Sequence, residues 1–283
     1  MKNKALFNSR TLPNVFFALV VTTLCAYGRL TDDARADEIK ACQMHSVRLE
    51  MVVEHVSPET HKKTAVFRRT GASAIVYFSG MAIDADGAPN AYHPDDVSGL
   101  DALEHAGDGK EWWALVTDHN DKPVIQQSGE FKGFYVSMTW LHREDDSYSE
   151  NEPNYWVDAR TVPYVAVPKT VWEATGVHKG DLAYVFNAKS GKASFAIVAD
   201  WGTEDTLGEG SIALAKALGV ESSPRTGGQD NGVTYVVFPG TAARPAWPRA
   251  LEDMSARAEQ LLCDLGGREA IKKMGSIALR PTR

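Results

Sequence analysis

The sequence predicts a mainly β protein built as a barrel or sandwich and closed by a C-terminal helix. Three observations carry this. Short apolar runs with period-2 alternation recur along the chain, and Gly, Pro and Asn turns punctuate them. A helical apolar stripe appears only near the end, where Leu251, Met254, Ala258, Leu261, Leu262 and Leu265 share one face. The alternating strand and long-helix pattern of a parallel α/β sheet is absent.

In chain order, "RLEMVVE" (48–54) alternates as a half-exposed strand does, and "ASAIVYFSGMAID" (72–84) reads as a more buried one. "DADGAPN" then marks a turn. "EWWALVT" (111–117) and "KPVIQQS" (122–128) flank "DHND" as a hairpin candidate, with Trp112 and Trp113 pointing to opposite faces. "GFYVSMTWL" (133–141) is a further strand, and the acidic loop "HREDDSYSENEPN" (142–154) follows it. Next come "YWVDARTVPYVAVP" (155–168), "DLAYVFNAKSGKASFAIVAD" (181–200) with "AKSG" as its turn, and "GVTYVVFPG" (232–240). The closing helix spans about 249–265 and stops at Gly266 and Gly267.

The N-terminus differs from the rest. Lys2, Lys4 and Arg10 precede the apolar run Val15 to Tyr27, and "ARA" ends at Ala36. That is the pattern of a signal peptide over 1–36, with a buried N-terminal helix as the alternative. It predicts a secreted or periplasmic protein with a single domain over 37–283. Cleavage removes five basic and two acidic residues and moves the net charge from −7 to −10. Such acidity argues against nucleic acid as a partner, and no apolar run is long enough to span a membrane. Cys42 and Cys263 remain, as a bridge between the chain's ends or as two buried thiols. In the chain-entropy picture such a bridge contributes about 4–5 kcal/mol.

The common catalytic motifs fail. There is no G-x-S-x-G, P-loop, dinucleotide fingerprint or H-E-x-x-H, and the eight histidines show no metal-ligand spacing. Ser211 reads as a helix cap or a turn serine. Asp84, Asp86 and Asn90 form part of a calcium loop, but its closing glutamate is missing, so neither a metal nor a cofactor is expected. Carboxylates are what remain. In "FAIVADWGTEDTLGEGSIALAKALG" (195–219), Asp200 ends an apolar strand and Glu209 sits between two glycines. Glycoside hydrolysis needs two carboxyl groups in unequal environments. Two solvent-facing loop carboxylates would give the same spacing.

The segment "VADWGTEDTLGEGSIALAKALG" resembles the catalytic segment of the family-75 glycoside hydrolases, the chitosanases. Asp200 and Glu209 fall on that family's two acidic positions. The resemblance continues through "MAIDADGAPNAYHPDD", "GLDAL", "YVSMTWL", "NYWVDARTVPYVAVP" and "VTYVVFPG", in order, over about residues 72–240. The departures are Trp201-Gly202-Thr203, where "GP" or "GD" is usual, and a shorter loop between the carboxylates. The resemblance implies an endo-acting enzyme that cleaves β-1,4 links of chitosan with inversion, Glu209 being the acid and Asp200 the base. Asp84, Asp86 and Asp158 then become candidate contacts for the polycationic substrate, or ordinary turn residues. Trp201 becomes a sugar-stacking ring or a core tryptophan. A strand ending V-x-D, a loop and the short helix "SIALAKALG" are similar to double-psi β-barrels, which implies a six-stranded barrel core with additional strands. Two other readings share such a barrel: a periplasmic peptidoglycan-cleaving enzyme of lytic transglycosylase type, and a secreted carbohydrate-binding protein without turnover.

Overall fold

The computed structural model describes residues 48–278. The first two strands, β1 (Leu49–Val56) and β2 (Lys63–Arg69), form an antiparallel hairpin, and β2 lies antiparallel to β3 (Ile75–Asp84). β2 was not anticipated: "KTAVFRR" mixes three basic residues into its alternation, which masks the apolar face.

Six strands close on themselves. They are β3, β4 (Tyr164–Ala166), β5 (Leu182–Asn187), β6 (Ala193–Asp200), β7 (Glu209–Ser211) and β8 (Gln229–Phe238). The order around the barrel is β3-β7-β4-β6-β5-β8, and β8 pairs back onto β3. The β3–β7 and β4–β6 pairs are parallel and the others antiparallel. The structure is thus mainly β, a closed six-stranded mixed barrel with two strands outside it. Closure removes the unpaired edges that an open sheet exposes. Val, Ile, Ala and Tyr side chains of these strands form the core, where Tyr77 of β3 stacks on Tyr235 of β8 at 4.7 Å between ring centres.

The long connection from β3 to β4 holds only a four-residue helix, α1 (Leu103–Ala106), and a 3-10 turn (Pro153–Tyr155). The hairpin expected over 111–128 and the strand over 133–141 form single bridges instead of ladders. Val116 N–H donates to Val136 C=O, Val136 N–H to Val124 C=O, and Val124 N–H to Val116 C=O. Three extended segments therefore close a triangle, and each has room for only brief pairing with either neighbour. Trp113 is exposed, while the half-buried Trp112 packs on the core.

α2 (Lys169–Thr175) follows β4, and α3 (Ile212–Leu218) follows β7 directly. Ser211 ends β7 and caps α3, its Oγ accepting from Leu214 N–H at 3.1 Å and Tyr164 N–H at 3.0 Å. The same hydroxyl donates to Val162 C=O at 2.8 Å. One hydroxyl thus ties β7, β4 and α3 together. Gly219 ends α3 in the left-handed region.

The C-terminal region departs from the expected single helix over 249–265. α4 (Leu251–Cys263) packs on β5 and β6, and a second helix, α5 (Gly267–Ala278), packs on β5 and β8. The first helix ends at Cys263, just before Gly266 and Gly267, whose positive φ values turn the chain into the second helix. Cys263 is disulfide-bonded. Cys42 and the signal-peptide segment lie outside the described residues.

Ser211→Ala strips a helix cap and leaves a buried N–H and C=O without partners. It should cost about 2–3 kcal/mol, read as a lower urea midpoint at unchanged m.

Candidate active site

Strand register brings the two acidic residues singled out from the sequence into one row. Glu209 of β7 lies opposite Ala82 of β3 on one side and Ala166 of β4 on the other. Ala166 in turn lies opposite Asp200 of β6. Residues directly opposite one another share a sheet face, so Glu209 and Asp200 project from the same face across one small side chain. Their backbones are two strand spacings apart, roughly 10 Å.

That alignment depends on an irregularity. Val165 pairs with Val198, but Ala166 pairs with Asp200, which leaves Ala199 as an extra residue. In an unbroken ladder Ala199 would face Ala166 and Asp200 would turn to the opposite face. The bulge re-aims the carboxylate, as bulges beside functional sites do. Asp84, two residues beyond Ala82 on β3, joins the same face.

Asp84, Asp86 and Asp200 bring carboxylate oxygens within 4.8 Å of one another. Asp200 is 4% exposed; its Oδ1 accepts from Trp201 N–H at 2.8 Å and Trp140 N–H at 3.2 Å, while its Oδ2 is buried with no hydrogen-bond partner. Asp84 Oδ1 accepts from Asp86 N–H at 2.7 Å. Asp86 Oδ1 accepts from Tyr92 OH at 2.7 Å. Glu209 is half-buried, and no hydrogen-bond donor among the described residues reaches its carboxylate. A β-carbon at Gly202 would come within 3.2 Å of Glu209 Oε2, so glycine there leaves the carboxylate its space.

The electrostatics follow from burial and crowding. Burial, and then the charges of Asp84 and Asp101, hold Glu209 well above the usual carboxylate range. Burial and the charge of Asp84 raise Asp200 likewise, but its two backbone N–H donors pull in the opposite direction. Burial lifts Asp86 well above its ordinary value, reinforced by Asp84 and Asp200. Burial lifts Asp84 to about 6.

Aromatic rings line the Asp200 side. Trp201 is 53% exposed and stacks on Trp140 at 6.2 Å, and Trp140 in turn contacts Trp172 and His178. The loop carrying Trp201 is fastened at Glu204, which accepts from Thr170 N–H at 3.1 Å and Thr170 Oγ1 at 2.8 Å.

Asp158 stands apart. Arg160 grips both its oxygens, and it is not among the charges that perturb the four clustered carboxylates. Asp101, which sequence reasoning missed, is buried against His105 at 2.7 Å and adds its charge to Asp84 and Glu209. Trp140 was missed as well. It was one apolar position in an alternating segment, and nothing local distinguishes a ring beside a carboxylate from a core ring.

A closed barrel that gathers unequally hydrogen-bonded carboxylates beside exposed tryptophan is an arrangement suited to polysaccharide hydrolysis. Residues 81–267 match the family described as fungal chitosanase of glycosyl hydrolase group 75, which covers more than half of the chain. The protein belongs to that family and is a glycoside hydrolase of chitosanase type, with a polysaccharide substrate. A search of the curated proteins finds no match to the chain. Among the described residues no helix is long and apolar enough to cross a membrane.

The cluster sets a pH dependence of stability. Folded Asp84 keeps its proton up to about pH 6, whereas an unfolded aspartate releases it near 4. Between those values the folded state binds more protons, so stability falls as pH rises. Asp86, Asp200 and Glu209 shift in the same direction and extend the fall upward. His105, raised by Asp101, adds to it. Exposed carboxylates with lowered pKa, such as Asp108 and Asp145, act only below the ordinary carboxylate range. Calorimetry should therefore give a higher Tm near pH 5 than near pH 7.5, and Asp84→Asn should narrow the gap.

Proposed function

We propose that the protein is an exported, endo-acting chitosanase that hydrolyses β-1,4 bonds with inversion. Glu209 is the general acid and Asp200 the general base. The observation that carries this reading is the row Glu209–Ala166–Asp200, two acids on one face with a gap between them. Inverting enzymes hold their carboxyl groups roughly 6.5–9.5 Å apart to admit a water, against about 5–5.5 Å in retaining ones. A separation of two strand spacings supports the wider arrangement.

The roles rest on the unequal hydrogen bonding. Glu209, half-buried and without a donor among the described residues, keeps its proton and gives it to the glycosidic oxygen as the bond to the anomeric carbon breaks. Asp200, with two N–H bonds that favour its ionised form, takes a proton from the attacking water on the opposite ring face. After product leaves, solvent restores the proton to Glu209 and removes one from Asp200. Asp84 and Asp86 face the substrate as acceptors for a glucosamine ammonium, and Trp201 stacks on a neighbouring ring. Asp158 is left out of the set because Arg160 already satisfies its carboxylate. Export is supported by the N-terminal pattern and by the disulfide at Cys263, since disulfides persist in oxidising compartments.

Glu209→Gln and Asp200→Asn should each lower kcat on chitosan by about a hundredfold or more, the scale of losing a general acid or base. NMR of fresh product should show the α-anomer first. Turnover near wild type in either variant, or a β-anomer as first product, overturns the assignment. The negative charge of Asp84 raises the pKa of Glu209. Asp84→Asn should therefore move the alkaline limb of the kcat/KM profile to lower pH, where deprotonated Glu209 no longer donates.

A further inference from the structure

A cavity of about 560 Å³ lies beside the carboxylate row. None of Asp84, Asp200 or Glu209 lines it, but two neighbours of Glu209 do: Ala82, which lies opposite it, and Gly208, which precedes it. It exists because β3 changes partners along one edge. Ile75–Tyr77 pair with β2, and Ala82–Asp84 pair with β7. The intervening residues have no strand on that edge. Ser79–Ala82 form one side of the opening, the β1–β2 turn a second, and Asp205–Gly208 and Thr226–Asp230 the remainder.

The lining suits a sugar better than an apolar ligand. Thr60 and Thr226 bring exposed hydroxyls and Lys62, Asp205 and Asp230 exposed charges, while Ser57, Gly80 and Gly208 are buried in its floor. The volume lies within the roughly 300–1,000 Å³ of ligand sites. His55 lines the cavity at 3% exposure with no hydrogen-bond partner for its Nε2, which lies 3.9 Å from Glu204. A buried ring nitrogen without a partner is costly unless a ligand or water completes it. The loop between the two carboxylates is fastened to this wall, since Asp205 accepts from Glu59 N–H at 2.9 Å.

We propose that this cavity is a second sugar-binding subsite, holding an amino-sugar unit of the polymer on the Glu209 side of the cleavage point. The inference rests on Glu209 and Asp200 being the hydrolytic pair. Trp201 and Trp140 flank Asp200, the cavity flanks Glu209, and a polymer laid across the row is met on both sides. The wall contributed by residues 55–64 precedes the segment matched to the family, so membership does not assign it.

The test fills the opening from two independent elements, with Thr60→Trp and Thr226→Trp, both at exposed positions. Each should raise KM for a glucosamine hexamer by about tenfold, the loss of roughly one sugar's contacts, with kcat on it unchanged. The shortest oligomer that the enzyme cleaves should keep wild-type constants. Equal effects on both lengths, or none on either, overturn the proposal. Binding to the inactive Glu209→Gln protein separates it from the functional reading. If that variant is inert but binds the hexamer no more tightly than the short oligomer, the subsite alone is wrong. If it turns over like wild type, the hydrolytic pair is wrong.

Discussion

Four carboxylates crowd together on a barrel that withholds water from much of their surface, and ionising one opposes ionising the next. This crowding governs the site. Desolvation disfavours each charge, and each charge that does form disfavours its neighbours. What sets Glu209 apart is the donors that the other three receive. Asp200 has two N–H groups, Asp86 the Tyr92 phenol and the Ser137 hydroxyl, Asp84 one N–H and the Tyr164 phenol, and Glu209 none among the described residues. An acid and a base of similar intrinsic strength are driven apart by that inequality.

Such an arrangement is unstable by design of its position, and the rest of the barrel compensates. The carboxylates sit where β3, β7, β4 and β6 meet, and most of the apolar side chains of β3, β4 and β6 belong to the buried core. Short strands that pair on both edges leave the backbone little freedom to relax the repulsion. β7 is only three residues long, but Ser211 at its end holds it to β4 and to α3. The bulge at Ala199 is the counterpart on β6. One extra residue decides whether Asp200 joins the cluster or turns away from it.

Much of this was legible in the sequence because it is local. The strands from Asp181 to Asp200 and from Gly232 onward announce themselves by alternation and turn chemistry, and Ser211 reads as a cap from its place before an apolar helix. Asp84, Asp86, Asp200 and Glu209 could be named because the motifs around them are distinctive. Their convergence was not legible, since it depends on strand order and a register slip that no single segment encodes. The same holds for Trp140 and Asp101, which lie far from Asp200 and Glu209 in sequence and reach them only through the fold. β2 and α5 were missed for a plainer reason: basic residues interrupt the first, and a glycine pair that normally ends a helix opens the second.

The connection between the two acids repays the same reasoning. Residues 201–208 must carry the chain from β6 to β7 while leaving the face between them open to a polymer. Glu204 and Asp205 hold the loop outward, one to Thr170 of α2 and the other to Glu59 in the β1–β2 turn. Gly208, at φ +114, allows the approach to β3, where a β-carbon would strike Gly80 C=O at 2.7 Å. Gly202 leaves room for Glu209 at the other end. The loop is therefore anchored through its exposed acids and kept thin where it borders the site. Replacing Gly202 with a larger residue would act on Glu209 by displacement and not by charge. It would lower activity while leaving the titration of the rest of the cluster largely intact.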